Sequence, residues 1–173
     1  MDSPSEIPKH YDPKASRLKY YPHWEEKGYF KGDPNKPGES FSIVIPPPNV
    51  TGSLHMGHAL NNTLQDILIR YRKMDGYNTV WIPGTDHASI AVHWVLERKF
   101  KEEGTSRFEM GREEFLKRAW EFKEEAETNI LGQLRALGVA CDWSRQRFTM
   151  DDGLTNAVRE VFVRLYNEGL IYR

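Results

Sequence analysis

One cysteine, Cys141, stands in 173 residues, so a disulfide within the chain is impossible and the small secreted scaffolds that depend on such staples are excluded. No basic-then-apolar leader opens the chain, and no apolar stretch approaches the roughly twenty residues a membrane helix needs. A reducing, cytoplasmic setting with no membrane partner is expected. Charge of one sign is lacking too: 24 basic against 25 acidic residues leave a formal net charge of −1. That removes the overall electrostatic signature of a nucleic-acid binder, while a local basic face is still allowed. Internal repeats and low-complexity segments are absent. What is present is 39% apolar residues with five tryptophans and eight tyrosines, enough for one ordinary globular core or a piece of a larger one. Core packing is the simplest use of that aromatic load.

Residues 1–40 mix proline, glycine and charge with scattered aromatics, which suggests an N-terminal arm around a core, with a short helix near Ala15 to Lys27. "FSIVI", Phe41 to Ile45, is a continuous apolar run of the kind found in a strand covered on both faces. Pro46, Pro47 and Pro48 end it, because proline donates no ladder hydrogen bond. Leu60, Leu64, Ile67, Leu68 and Tyr71 then share one face of a helix that stops at Asp75-Gly76. A second strand, "NTVWI" (Asn78 to Ile82), meets Pro-Gly, and a second helix follows within "TDHASIAVHWVLERKFKEEG".

This order of strand, loop, helix, strand, loop, helix predicts an α/β fold: a Rossmann-like parallel sheet with right-handed crossovers over residues 41–110, of which the chain holds the first half only. Residues 111–173 form a helical C-terminal segment. There Phe115, Ala119, Phe122, Ala126, Ile130, Leu134 and Leu137 keep near-helical spacing up to Gly138, over about 40 Å at the usual rise. Thr149 to Asp152 resembles a capping box for a last helix carrying Leu154, Val158, Phe162 and Leu165, closed by Gly169.

In an open parallel sheet, ligands bind beyond the carboxyl ends of the strands. Two unusual loops occupy that position. "PPPNVTGSLHMGH" supplies Gly52 and Gly57, which permit tight turns and close approach of a flat ligand such as a purine. The helix start behind them offers unpaired N–H groups and a positive dipole end suited to phosphate. His55 and His58, three apart, lie on one side of that first turn. Ring N–H donors there would stabilise charge growing on a phosphate, and losing one such donor costs about 3 to 4 kcal/mol of transition-state stabilisation. The same pair would also suit a metal, although no Cys or acidic partner has standard zinc spacing nearby, or a surface position with no role. Asn49 and Thr51 suit either a site or a simple turn. Asp86, in "PGTDHA", would either hold a ligand ammonium or cap the next helix.

"PPPNVTGSLHMGHAL" and "WIPGTDHASIA", at their spacing, resemble the catalytic domain of the valyl-tRNA synthetases, within the class I aminoacyl-tRNA synthetases. "HMGH" stands where that class carries a histidine, apolar residue, glycine, histidine signature. "GREEFLKRAWEFKEE" and "DWSRQRFTMD" extend the resemblance over nearly the whole chain. It implies activation of valine by ATP, giving valyl-adenylate and pyrophosphate, followed by transfer of the valyl group to tRNA(Val), with Mg²⁺ accompanying ATP. It further implies that Gly52, His55, Gly57 and His58 cradle ATP, with the two histidines catalytic. Asp86 would bind the valine ammonium, Pro47 would line the side-chain pocket, and Asn49 would sit beside the substrates.

The resemblance also implies glycine then Ile-Ala-Thr-Gln after "GTDHA", where this chain has Ser89-Ile90-Ala91-Val92-His93. A Lys-Met-Ser-Lys-Ser type loop, an editing insertion beginning near "GLIYR", the second half of the sheet and an anticodon-binding domain would belong to further sequence, as would most tRNA contacts. Two rival expectations are a small nucleotidyltransferase using the same histidine loop and a noncatalytic module that binds nucleotide or tRNA.

Overall fold

A computed structural model describes residues 9–173, so the first eight residues of the expected arm lie outside the described residues. Helix α1 spans Pro13–Glu26. Asp12 caps it by accepting from the Lys14 and Ala15 amides, and Pro13 sits at the first turn, where a missing N–H costs nothing. The helix is held to the core by Tyr21, whose buried hydroxyl donates to the Val139 carbonyl at 2.7 Å and accepts from Trp143 Nε1 at 2.8 Å. Burial raises the Tyr21 phenol well above its ordinary value, so it remains a donor. Further along, the Gly32 amide donates to buried Asp142.

Strands β1 (Ser40–Val44) and β2 (Asn78–Ile82) pair in parallel, from Ser40 opposite Asn78 to Val44 opposite Ile82. Helix α2 (Met56–Met74) makes the crossover between them. This is the β-α-β unit expected from the sequence, and the chain is α/β with small parallel sheets. One residue after β2, the short β3 (Gly84–Thr85) pairs in parallel with β4 (Arg147–Phe148), so the segment after Val139 runs beside the β2–β3 line. The Asp142 amide donates to the Trp81 carbonyl and that of Arg147 to the Pro83 carbonyl. A Cβ at Gly84 would sit 3.0 Å from the Arg147 carbonyl oxygen, which is why this close approach uses glycine.

Helices α3 (Ile90–Glu102) and α4 (Arg107–Leu137) complete the core. Trp81 lies fully buried among Ile69, Leu96, Phe100, Ile130 and Leu134. As the spacing predicts, α4 buries Phe115, Ala126, Ile130 and Leu134. It breaks locally at Gly111 (φ 79°) and stops at Gly138, whose left-handed φ of 81° closes the helix. Helix α5 covers Asp152–Asn167.

Several local expectations need correction. Strand β1 is not covered on both faces: Phe41 and Ile43 are half-buried, whereas Ser40, Ser42 and Val44 are exposed. The covered face is the one carrying Thr79 and Trp81 on β2, while the other is covered only in part, with Gly32 close to Val80 and Leu154 bordering a cavity with Ser42, Val44, Val80 and Ile82. The apolar stripe of α2 is also not its docking face, since Leu60, Leu64, Ile67, Leu68 and Tyr71 are each more than half exposed. The helix docks through Ile69, Asn62 and polar anchors instead. Asp66 accepts from the Ala140 amide at 2.7 Å, and Arg70 donates to the Gly138 carbonyl. Periodicity shows that a helix is amphipathic but not which side this chain covers. Finally, α5 is capped by Asp151, which accepts from the Leu154 amide at 2.8 Å, so Thr149 is free for another task.

Candidate active site

The loop after β1 and the loop after β3 meet. The Asp86 amide donates to the Pro48 carbonyl at 2.8 Å and the Val50 amide donates back to the Asp86 carbonyl at 2.9 Å, a parallel bridge between Asn49 and Asp86. Two motifs whose bridged residues, Asn49 and Asp86, stand almost forty positions apart in sequence are thereby brought together at the carboxyl end of the strands. Asn49 also fits its turn-forming reading, because its carbonyl accepts from the Thr51 amide at 2.8 Å. Pro47 is exposed and lines an apolar cavity of about 390 Å³ with Val44, Ile45, Ile82, Thr85, Thr149 and others.

At the start of α2, His55 is the cap residue and His58 stands in the first turn. His55 Nδ1 accepts from the Gly57 amide at 3.1 Å, while His58 Nδ1 accepts from the His55 amide at 3.2 Å. With both Nδ1 atoms accepting, each neutral ring carries its proton on Nε2 and has one donor to offer. The ring centroids are 3.9 Å apart. Partial burial and then the nearby His55 hold the His58 imidazole below its ordinary pKa, which favours the neutral donor form. Gly57 is required for this arrangement, since a Cβ there would lie 2.9 Å from His55 Cε1. A Cβ at Gly52 would meet nothing within 4 Å, so the loop is open on that side.

Asp86 does not cap α3. That helix begins at Ile90 behind Ser89, and Asp86 Oδ1 instead accepts from the Ala88 amide at 3.2 Å and from the Thr149 hydroxyl at 3.0 Å. Ala88 (φ 50°) and Ser89 (φ 33°) turn the chain through the left-handed region before the helix starts. Beneath this turn, Thr85 donates to buried Glu127 at 2.6 Å, and Glu127 pairs with Lys123 at 2.6 Å.

Helix α4 also supports the histidine loop. Gln133 Oε1 accepts from the Leu54 amide at 2.8 Å, and Asn129 Nδ2 donates to Ser53 Oγ at 2.9 Å. Sequence reasoning reads Thr149 only as a helix cap and does not single out Glu127, Lys123, Asn129 or Gln133. Asn129 and Gln133 stand four apart on a helix, which does place them on one face, but nothing local says what they face. A smaller cavity of about 230 Å³, lined by His87, His93, Trp120 and Phe148 among others, includes none of the expected site residues. Among the described residues, no group of three or more His, Cys, Asp or Glu is placed to hold a metal ion, and no helix is long and apolar enough to cross a membrane.

Known proteins resemble this chain. The family described as tRNA synthetases class I (I, L, M and V) matches residues 19–173. The valine--tRNA ligase of Geobacter sulfurreducens is 61% identical over 168 residues, covering 97% of this chain and 19% of that protein. The valine--tRNA ligase of a Nostoc species is 59% identical over 167 residues, 96% of this chain and 16% of its own length. Among solved structures, the ternary complex of Agrobacterium radiobacter K84 LeuRS with tRNA and LeuAMS superposes with a TM-score of 0.78 at 27% identity, over 94% of this chain and 19% of that one. The chain thus spans less than a fifth of the relatives it matches. With its parallel β-α-β unit and its histidine loop bridged to Asp86, it belongs to the class I tRNA synthetases of the isoleucine, leucine, methionine and valine group.

Proposed function

We propose that this chain supplies the first half of the amino-acid-activating site of a cytoplasmic valine--tRNA ligase. The observation that carries the reading is the Asn49–Asp86 bridge, which fixes a phosphate-suited helix start and a carboxylate together at the carboxyl ends of β1 and β3. ATP lies along the Gly52–His58 loop, with its phosphates against the start of α2. The His55 and His58 Nε2–H groups donate to the α-phosphate oxygens as valine's carboxylate attacks and pyrophosphate leaves. Phosphoryl-type transfer asks the protein mainly for positioning and charge stabilisation, which two ring N–H donors and the positive end of the α2 dipole provide.

Asp86 receives the valine ammonium, Pro47 presents apolar surface to the isopropyl group, and Asn49 borders both substrates. Mg²⁺ arriving with ATP would neutralise phosphate charge, and it would be held mainly by the nucleotide, since no group of three or more His, Cys, Asp or Glu among the described residues is placed to hold it. The valyl group then passes to the 3′ end of tRNA(Val), which is contacted mainly by other parts of the longer relatives. The names of the two bacterial relatives favour valine.

ATP–pyrophosphate exchange across a panel of amino acids tests this reading. The full-length polypeptide should exchange with valine, whereas the 173-residue chain should bind ATP weakly and exchange feebly. Stimulation by isoleucine or leucine in place of valine would overturn the substrate assignment.

A further inference from the structure

We propose that Thr149, 63 positions beyond Asp86, is the positioning residue for the amino-acid site: its hydroxyl fixes one oxygen of the Asp86 carboxylate and leaves the other free for the substrate ammonium. The inference rests on the ammonium-binding role of Asp86 proposed above. Thr149 arrives there through the chain pairing after Cys141. Its amide donates to the Thr85 carbonyl at 3.2 Å, which places the side chain beside the residue after Thr85.

A threonine hydroxyl has one proton to give and two lone pairs to fill. The proton goes to Asp86 Oδ1 at 3.0 Å, while the oxygen accepts from the His87 amide at 2.9 Å. With the hydroxyl proton committed, the remaining contact, to His87 Nδ1, requires that ring to carry its proton on Nδ1. The hydroxyl is then filled to capacity. Asp86 Oδ1 is likewise occupied by the Ala88 amide at 3.2 Å and by Thr149, with His87 Nδ1 a further 3.5 Å away. Among the described residues Oδ2 accepts no hydrogen bond. One oxygen is therefore an anchor and the other a docking point, and the carboxylate cannot rotate without breaking its anchor bonds.

Without that anchor the carboxylate would sample other rotamers, and binding would have to order it. A charge-assisted hydrogen bond of this kind typically accounts for about a tenfold or larger change in an equilibrium. In the full-length polypeptide, Thr149→Val removes the hydroxyl at nearly constant volume, and Thr149→Ser keeps it. Valine-dependent ATP–pyrophosphate exchange should show a KM for valine raised about tenfold by Thr149→Val, with the KM for ATP within about twofold of the parent. Thr149→Ser should restore the valine KM to within about threefold. An unchanged valine KM in Thr149→Val, an equal rise in both KM values, or a serine variant as impaired as the valine one would overturn the proposal; the serine variant decides the matter if Thr149→Val does not fold. A parent enzyme with no valine-dependent exchange defeats the functional reading and this inference with it. Normal parental exchange with an indifferent Thr149→Val defeats this inference alone.

Discussion

Lys123→Met should cost about 3 to 5 kcal/mol of stability, because it strands a buried carboxylate. Lys123 Nζ lies 2.6 Å from Glu127 and 3.0 Å from Glu124, and the Lys123 and Glu127 side chains are only 12% and 9% exposed. Once the ammonium is gone, Glu127 keeps one donor, the Thr85 hydroxyl. The reverse change is milder. Glu127→Gln leaves Lys123 with Glu124, which is 68% exposed, and with the Phe148 ring face 4.4 Å away, so it should cost about 1 to 3 kcal/mol. The double variant removes both charges and should cost clearly less than the sum, a coupling of at least about 2 kcal/mol. Burial pushes the Lys123 amine down, but its hydrogen bonds to Glu127 and Glu124 outweigh that and the net shift is upward. The corresponding stabilisation is full below the ordinary lysine value of 10.5 and is lost as pH rises through the higher folded value. Denaturant unfolding of the four proteins near neutral pH measures the cycle. A coupling below about 0.5 kcal/mol, the behaviour of a solvated surface pair, would refute the assignment.

Two other predictions concern the loops. Ser89, exposed and without a side-chain cap bond, sits at φ 33° and ψ −93°, so Ser89→Gly should relieve about 1 to 3 kcal/mol of backbone strain. Against glycine's extra unfolded-state freedom of about 0.5 to 1 kcal/mol, the net gain should be about 1 kcal/mol, or a Tm rise of about 2 to 4 °C by calorimetry; a lower Tm would refute the strain. His58 should titrate below 6.5 by NMR of its ring protons, and His55→Ala, by removing the second of the two causes, should move it partway back. Since the folded value is the lower one, His58's contribution to stability is complete above about 6.5 and disappears as pH falls through the folded value. A measured value above 6.5 would contradict the neutral, cap-accepting ring.

The sequence displays features whose cause is local. Three consecutive prolines after Ile45 mark the end of the β1 run, and the spacing from Phe115 to Leu137 marks α4, with glycine available at Gly138 for the left-handed turn. The meeting of the two loops was legible only as a rule about parallel sheets; its means, backbone bonds at Pro48, Val50 and Asp86, involves no side chain and leaves no sequence trace. Thr149 illustrates the opposite loss. Its place before an acidic pair suggests a local cap, yet Asp151 takes that work and Thr149 turns to Asp86 across the sheet. The stripe on α2 misleads because apolar period and apolar contact are different facts. Leu60 to Tyr71 satisfy the first, whereas the helix is held by Asp66, Ile69 and Arg70.

The bridge between Asn49 and Asp86 makes the distance between the two loops a property of main chain alone. An alanine scan across both loops would pass over it in silence, because every such variant retains the amides and carbonyls that set the gauge. Only a residue lacking an N–H, such as proline in place of Val50, whose amide donates to Asp86, takes away a rung. Side chains in these loops are thus free to be exchanged while the span between the histidine loop and the Asp86 loop stays calibrated.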